Sequence, residues 1–300
     1  MKEYVYFPGC SLEKIALSYH LSALETTEKL GVRLIELEDW NCCGATAYFH
    51  VDELLAYTLS ARNLAMAEKV GTEVVAPCSA CYKNMYFTNA HLNEDPELAE
   101  YINEALQEDN LTFTGKMKVR HLLEVFANDI GPEEVKNKVT HPLEGLKVAA
   151  YYGCQILRPR KDHEDVEQPH YFEDLMSAIG ATPVDFPLRL TCCGGSLLLS
   201  SRPAAYSMIN NILQNAEYEQ ADVIATACPL CQVNLECYQP QVNQDFGTQH
   251  HIPVVYFTQL IGLAMGIPPK KLGFGKEFLS PMKAIEAIKN IHSQEEVISQ

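Results

Sequence analysis

Ten of the eleven cysteines in this 300-residue chain form two sets that repeat. Cys10, Cys42, Cys43, Cys78 and Cys81 are answered by Cys154, Cys192, Cys193, Cys228 and Cys231. The offset is 144 residues from Cys10 to Cys154, and 150 from Cys42 to Cys192 and from Cys78 to Cys228. The neighbours repeat as well. Tyr6-Phe7-Pro8-Gly9-Cys10 matches Tyr151-Tyr152-Gly153-Cys154, Asn41-Cys42-Cys43-Gly44 matches Thr191-Cys192-Cys193-Gly194, and Val74-Val75-Ala76-Pro77-Cys78 matches Ile224-Ala225-Thr226-Ala227-Cys228. An internal repeat on this scale predicts two units of one fold, residues 1–144 and 145–300.

Short β-branched or aromatic runs at about 3–8, 32–37, 73–76, 147–152, 182–186, 222–226 and 253–256 read as buried strands. Helical periodicity fills about 12–30, 51–70, 79–92, 97–108, 170–180, 203–219 and 229–239. Alternation of this kind predicts an α/β protein: two pseudo-symmetric Rossmann-like repeats, each a small parallel sheet flanked by helices. Cys10, Cys78, Cys154 and Cys228 each follow a strand, at the carboxyl end of the sheet where open α/β folds bind ligands. The charged, Pro/Gly-punctuated stretch from Glu133 to Gly145 reads as a linker, and the chain from about 269 as a surface tail that helps dock a partner.

Each set carries five thiols. Cys78-x-x-Cys81 at a helix start aims two thiolates into one site. Adjacent Cys42 and Cys43, with Cα atoms about 3.8 Å apart, crowd a single tetrahedral ion but reach neighbouring irons of one cluster. A structural zinc takes four ligands and leaves one cysteine per half unexplained; a polynuclear iron–sulfur cluster accounts for all five. One iron–sulfur site beside one zinc site, or disulfides and inert thiols, are the competing readings. Cys237 has no counterpart in the first half and reads as a small buried hydrophobe.

Composition narrows the setting. A net charge of −16, from 39 acidic and 23 basic residues, excludes the basic face that a nucleic-acid partner calls for. The amino terminus lacks the pattern of a signal peptide, and no run approaches the roughly 20 apolar residues of a membrane span. A cytoplasmic protein is expected, reaching a membrane only through partners. There, ordinary thiols stay reduced and eleven cysteines point to metal or redox chemistry.

The pattern Cys10, 31 residues, Cys42-Cys43-Gly44, 34 residues, Cys78-x-x-Cys81, present twice, resembles the cysteine-rich CCG domain. Two copies filling nearly the whole chain resemble the B-type polypeptide of heterodisulfide reductase. The resemblance implies a noncubane [4Fe–4S] cluster on each set of five cysteines, with a disulfide cleaved between the two clusters. The disulfide would be a methanogen-type coenzyme pair, a lipoyl group or a protein disulfide, and in some hosts the chemistry runs in reverse, oxidising thiols. Relatives of the domain also relay electrons in lactate- or glycolate-oxidising complexes and in quinone-linked succinate or fumarate reductases, the alternative role. No tight run of four cysteines appears, so electrons are expected from a separate ferredoxin-like subunit of the C type and a flavin-containing subunit of the A type.

No flavin or nicotinamide site is expected in this chain. Gly273-Phe274-Gly275 follows no strand and lacks the third glycine of a nucleotide-binding turn. The basic run Arg158-Pro159-Arg160-Lys161 after Cys154 reads as a solvated loop, or, if it faces the cleft, as a magnet for an anionic disulfide. His50, Lys83 and His163 are further candidates, a protonated His supplying a proton to a departing thiolate.

Overall fold

The computed structural model describes residues 2–45, 48–159 and 166–286, and within these the side chain of His50 is left aside. The strands ending at Tyr6, Ala76, Tyr151 and Thr226 are the apolar runs that lead into the cysteine motifs. The first half runs β1 (Lys2–Tyr6), α1 (Leu17–Lys29), β2 (Val32–Glu36), α2 (Tyr48–Val51), α3 (Glu53–Glu68), β3 (Glu73–Ala76), α4 (Ser79–Glu94), α5 (Pro96–Leu106), β4 (Lys118–His121), α6 (Leu122–Glu124), a π-helical stretch (Val125–Ile130) and α7 (Pro132–Asn137). The second runs β5 (Lys147–Tyr151), α8 (Tyr171–Ala178), β6 (Thr182–Pro183), α9 (Arg202–Tyr218), β7 (Val223–Thr226), α10 (Pro229–Cys237), α11 (Gln239–Phe246), β8 (Val254–Tyr256) and α12 (Phe257–Ala264).

Two all-parallel four-stranded sheets result, ordered β2-β1-β3-β4 and β6-β5-β7-β8. The registers correspond: Val5 faces Val74 as Ala149 faces Ile224, and Ala76 faces His121 as Thr226 faces Tyr256. In each sheet the chain leaves the first strand toward one edge and returns on its other side, so the central pair (β1 with β3, β5 with β7) brackets a switch point. The crevice at their carboxyl ends is where such sheets bind ligands, and the cysteine loops emerge there.

The halves are tied together through exchanged helices. Helix α1 packs on α12, and α8 packs on α7 and the π-helical stretch. The ring of Tyr19 stacks on Tyr256 at 4.2 Å and 8°. Ser22 Oγ lies 2.6 Å from Thr258 Oγ1, and Phe257 meets both Phe126 and Phe172 edge-on. The cores are correspondingly shared, each containing residues of both sheets.

Several elements differ from the sequence expectation. Strand β4 was not among the expected strands; its Arg120 is buried among Glu73, Glu124 and Asp129. Strand β6 shrinks to two residues at the sheet edge, where Thr182 N and Val184 N donate to Leu146 O and Val148 O and Pro183, which lacks an N–H, faces the open side. The stretch 133–145 is packed, with Val135 and Leu143 buried and the N–H groups of Thr140 and His141 donating to Ala264 O at 2.9 and 2.8 Å. Nor do residues 269–286 leave the body as a tail. Leu272 is fully buried, and a Cβ on Gly273 would lie 2.5 Å from Ser18 Cα, so Gly273 of the Gly273-Phe274-Gly275 turn serves close packing on α1. Residues 287–300 lie outside the described part.

Candidate metal centre

The loop that begins each site needs glycine. Gly9 and Gly153 both take φ of +73°, and a Cβ there would meet Cys81 Sγ at 3.0 Å and Cys231 Sγ at 3.2 Å. Gly44 and Gly194, closing the Cys-Cys-Gly turns, also sit at positive φ, against the backbone of Ala56 and Ala205. Buried asparagines then fix the turns. Asn84 Nδ2 donates to Cys43 O at 3.2 Å, and Asn234 Nδ2 to Cys193 O at 2.6 Å. The two asparagines are themselves 150 residues apart, so the repeat offset, extended beyond cysteine, was the signal that would have found them.

The thiols form one continuous string. Cys10 hydrogen-bonds with Cys42 and Cys42 with Cys43, and the sulfurs of Cys43 and Cys81 lie 3.2 Å apart. Cys81 contacts Cys78, and Cys78 contacts Cys228 of the other half. From there the order reverses through Cys231, 3.5 Å from Cys193, to Cys192 and Cys154. All ten repeated cysteines are thus gathered, with the junction between Cys78 and Cys228. Hydrogen bonds from Cys42 and Cys81 hold the Cys43 thiol well below its ordinary range. Those from Cys154 and Cys193 bring Cys192 down to about 2, and those from Cys231 and Cys78 depress Cys228.

The five second-half cysteines line a single cavity of about 50 Å³, closed by Tyr152, Gln155, Gly195, Ser196, Leu230 and, from the first half, Ser79 and Ala80. Among the described residues no three His, Cys, Asp or Glu side chains converge as they would around one metal ion. Five soft donors per half fit a polynuclear iron–sulfur cluster. Access differs between the halves: Cys10 and Cys42 are exposed, whereas Cys154 and Cys192 are half-buried.

Of the other candidate residues, Arg158 is exposed yet close enough to favour the ionised forms of Cys154 and Cys192. Lys83 is half-buried on α4. Arg160, Lys161 and His163, and the side chain of His50, lie outside the described residues. Cys237 is half-buried, and burial pushes its thiol up to about 11. The sequence reading overlooked His121, fully buried beside the junction, where burial pushes its imidazole down to about 4.

Two parallel sheets joined through a string of ten cysteines define a duplicated cysteine-rich redox protein. The family described as the CCG cysteine-rich domain matches residues 4–86 and 148–236. The chain belongs to that family, in two copies, together with the B-type polypeptides of heterodisulfide reductases. It is 33% identical over 292 residues to the B-type polypeptide of the ferredoxin/F420H2-dependent CoB-CoM heterodisulfide reductase of Methanosarcina acetivorans, covering 94% of this chain and 97% of the relative. It is 38% identical over 284 residues to the 8-methylmenaquinol:fumarate reductase membrane anchor subunit of Wolinella succinogenes, covering 94% and 99%. A solved structure of a hypothetical protein from Helicobacter pylori shares the fold, with a TM-score of 0.75 and 16% identity, over 93% of this chain and 52% of that one. Among the described residues no helix is long and apolar enough to cross a membrane.

Proposed function

We propose that each half holds one noncubane [4Fe–4S] cluster, on Cys10, Cys42, Cys43, Cys78 and Cys81 and on Cys154, Cys192, Cys193, Cys228 and Cys231. The chain then serves as the disulfide-reducing subunit of a heterodisulfide-reductase-type complex. The contact between Cys78 and Cys228 carries this reading, because it brings two five-thiol sites to a common junction. Each bound cluster supplies one electron, and a disulfide takes two electrons and two protons to become two thiols. The glycine loops and the Asn84 and Asn234 clamps hold the sulfurs in place. Arg158, beside Cys154 and Cys192, offers positive charge to an anionic disulfide. A ferredoxin-like partner delivers electrons to the exposed Cys10 and Cys42 side, and any flavin belongs to a further subunit.

The test is anaerobic purification with iron and sulfide analysis, then thiol release from candidate disulfides driven by a reduced low-potential dye. About eight irons per chain are expected for two four-iron clusters. One zinc with about four irons, or full iron with no thiol released from any anionic, lipoyl or protein disulfide, overturns the assignment.

A second reading, electron relay to a quinone, draws on the 38% identity to the fumarate reductase subunit. It also draws on the exposed Val51 and Leu199, which follow the two Cys-Cys-Gly turns. Oxidation of the dye-reduced protein by a soluble menaquinone analogue, without thiol chemistry, favours it.

A further inference from the structure

The repeat breaks where the halves meet. Ser79, after Cys78, corresponds to Pro229, after Cys228, and proline carries no side-chain donor. Ser79 is 3% exposed and lines the cavity of the second-half cysteines although it belongs to the first half. Its Oγ lies 3.4 Å from His121 Nε2. Because His121 Nδ1 accepts the N–H of Leu123 at 3.1 Å, the ring proton resides on Nε2, within reach of the serine oxygen and of the Pro77 and Ala227 carbonyls, so Ser79 cannot donate to the ring. The serine hydrogen is left for another acceptor, and Cys228 lines the same cavity as Ser79. On the opposite side Tyr256 takes the register position of His121, and its hydroxyl donates to Gln232 Oε1 at 3.4 Å.

We propose that Ser79, oriented by His121, donates its hydroxyl hydrogen across the junction to Cys228 and raises the reduction potential of the second-half cluster alone. The proposal rests on the reading that both halves hold clusters. A hydrogen bond to a ligand sulfur withdraws negative charge and so favours the reduced, more negative state. Pro229 gives Cys78 no reciprocal bond, so duplication left two sites of like ligation and unlike potential. His121 acts as a positioning residue, through Ser79.

Potentials are measured by redox titration followed by electron paramagnetic resonance on the full chain, with iron counted for every variant. Ser79→Ala should keep its iron and lower one of the two potentials, by about tenfold in the reduction equilibrium, or about 59 mV for one electron. Ser79→Thr, which keeps the hydroxyl, should stay near wild type. Unmoved potentials in Ser79→Ala, or an equal fall in both, overturn the proposal. If Ser79→Ala loses iron, the isosteric pair Ser79→Thr and Ser79→Val decides, and equal potentials in that pair overturn it. Wild-type protein with fewer than two clusters instead removes the reading on which the proposal stands.

Discussion

Cys78 lies beside Cys228, a residue 150 positions away that occupies the same place in the other repeat. A residue that meets its own repeat partner marks the pseudo-two-fold axis, and the two five-thiol sets are mirror sequences leading away from it.

Substituting Ser for Cys43 or for Cys193 should disable two-electron turnover about as thoroughly as substituting both, because the sites act as a unit. Thiol release from the dye-reduced protein, compared with iron content, checks this. Near wild-type release from a single variant whose cluster is demonstrably lost would falsify the paired mechanism.

Removing the turn clamps should cost stability. Asn84→Ala and Asn234→Ala each leave a buried carbonyl, of Cys43 or Cys193, without its donor, a loss of about 1–3 kcal/mol. Asn234 makes the shorter bond and should cost the more. Urea unfolding midpoints, read anaerobically, provide the comparison, and unchanged midpoints would remove the clamps from the account.

Gly153→Ala should strip the second half of its metal selectively. Its Cβ would enter a position 3.2 Å from Cys231 Sγ at a backbone angle that alanine avoids. Iron should fall to about half of wild type, with the first-half signal retained; Gly9→Ala should do the converse. Full iron in either variant counts against the cradle.

A pH effect is expected from Glu236. Burial raises its carboxyl from the ordinary 4.5 to about 7, although Phe278 N and Leu279 N each donate to it at 3.3 Å. The folded state therefore holds the proton more tightly than the unfolded chain. Its stabilising contribution is complete below pH 4.5 and is lost as pH rises to 7, by about 3 kcal/mol. The stability difference between wild type and Glu236→Gln should change across that window and be flat above it; a difference that does not vary with pH refutes the assignment.

The cysteine sites were legible because cysteine spacing survives duplication, and the central strands because they are apolar on both faces. Strand β4 was not, since Arg120 reads as surface until Glu73, Glu124 and Asp129 are seen around it. Helix α12, from Phe257 to Ala264, is only eight residues long and buried on every side, Thr258 and Gln259 included, so its short apolar run does not mark it as a helix. His121 and Ser79 were invisible for a different reason: their role comes from contacts across the axis, where the repeats differ.

The exchange of α1 onto α12 and of α8 onto the π-helical stretch has a consequence for how the chain can be divided. A fragment ending near residue 144 would keep α1 and lose its cover, leaving the ring of Tyr19 without Tyr256 and Ser22 without Thr258. Neither fragment is a self-sufficient folding unit, yet the two offer each other complementary faces. Expressed as separate polypeptides they should be insoluble alone and recover one another when mixed. The packing across the axis is thus of the kind that two copies of one repeat would make, each lending a helix to its neighbour.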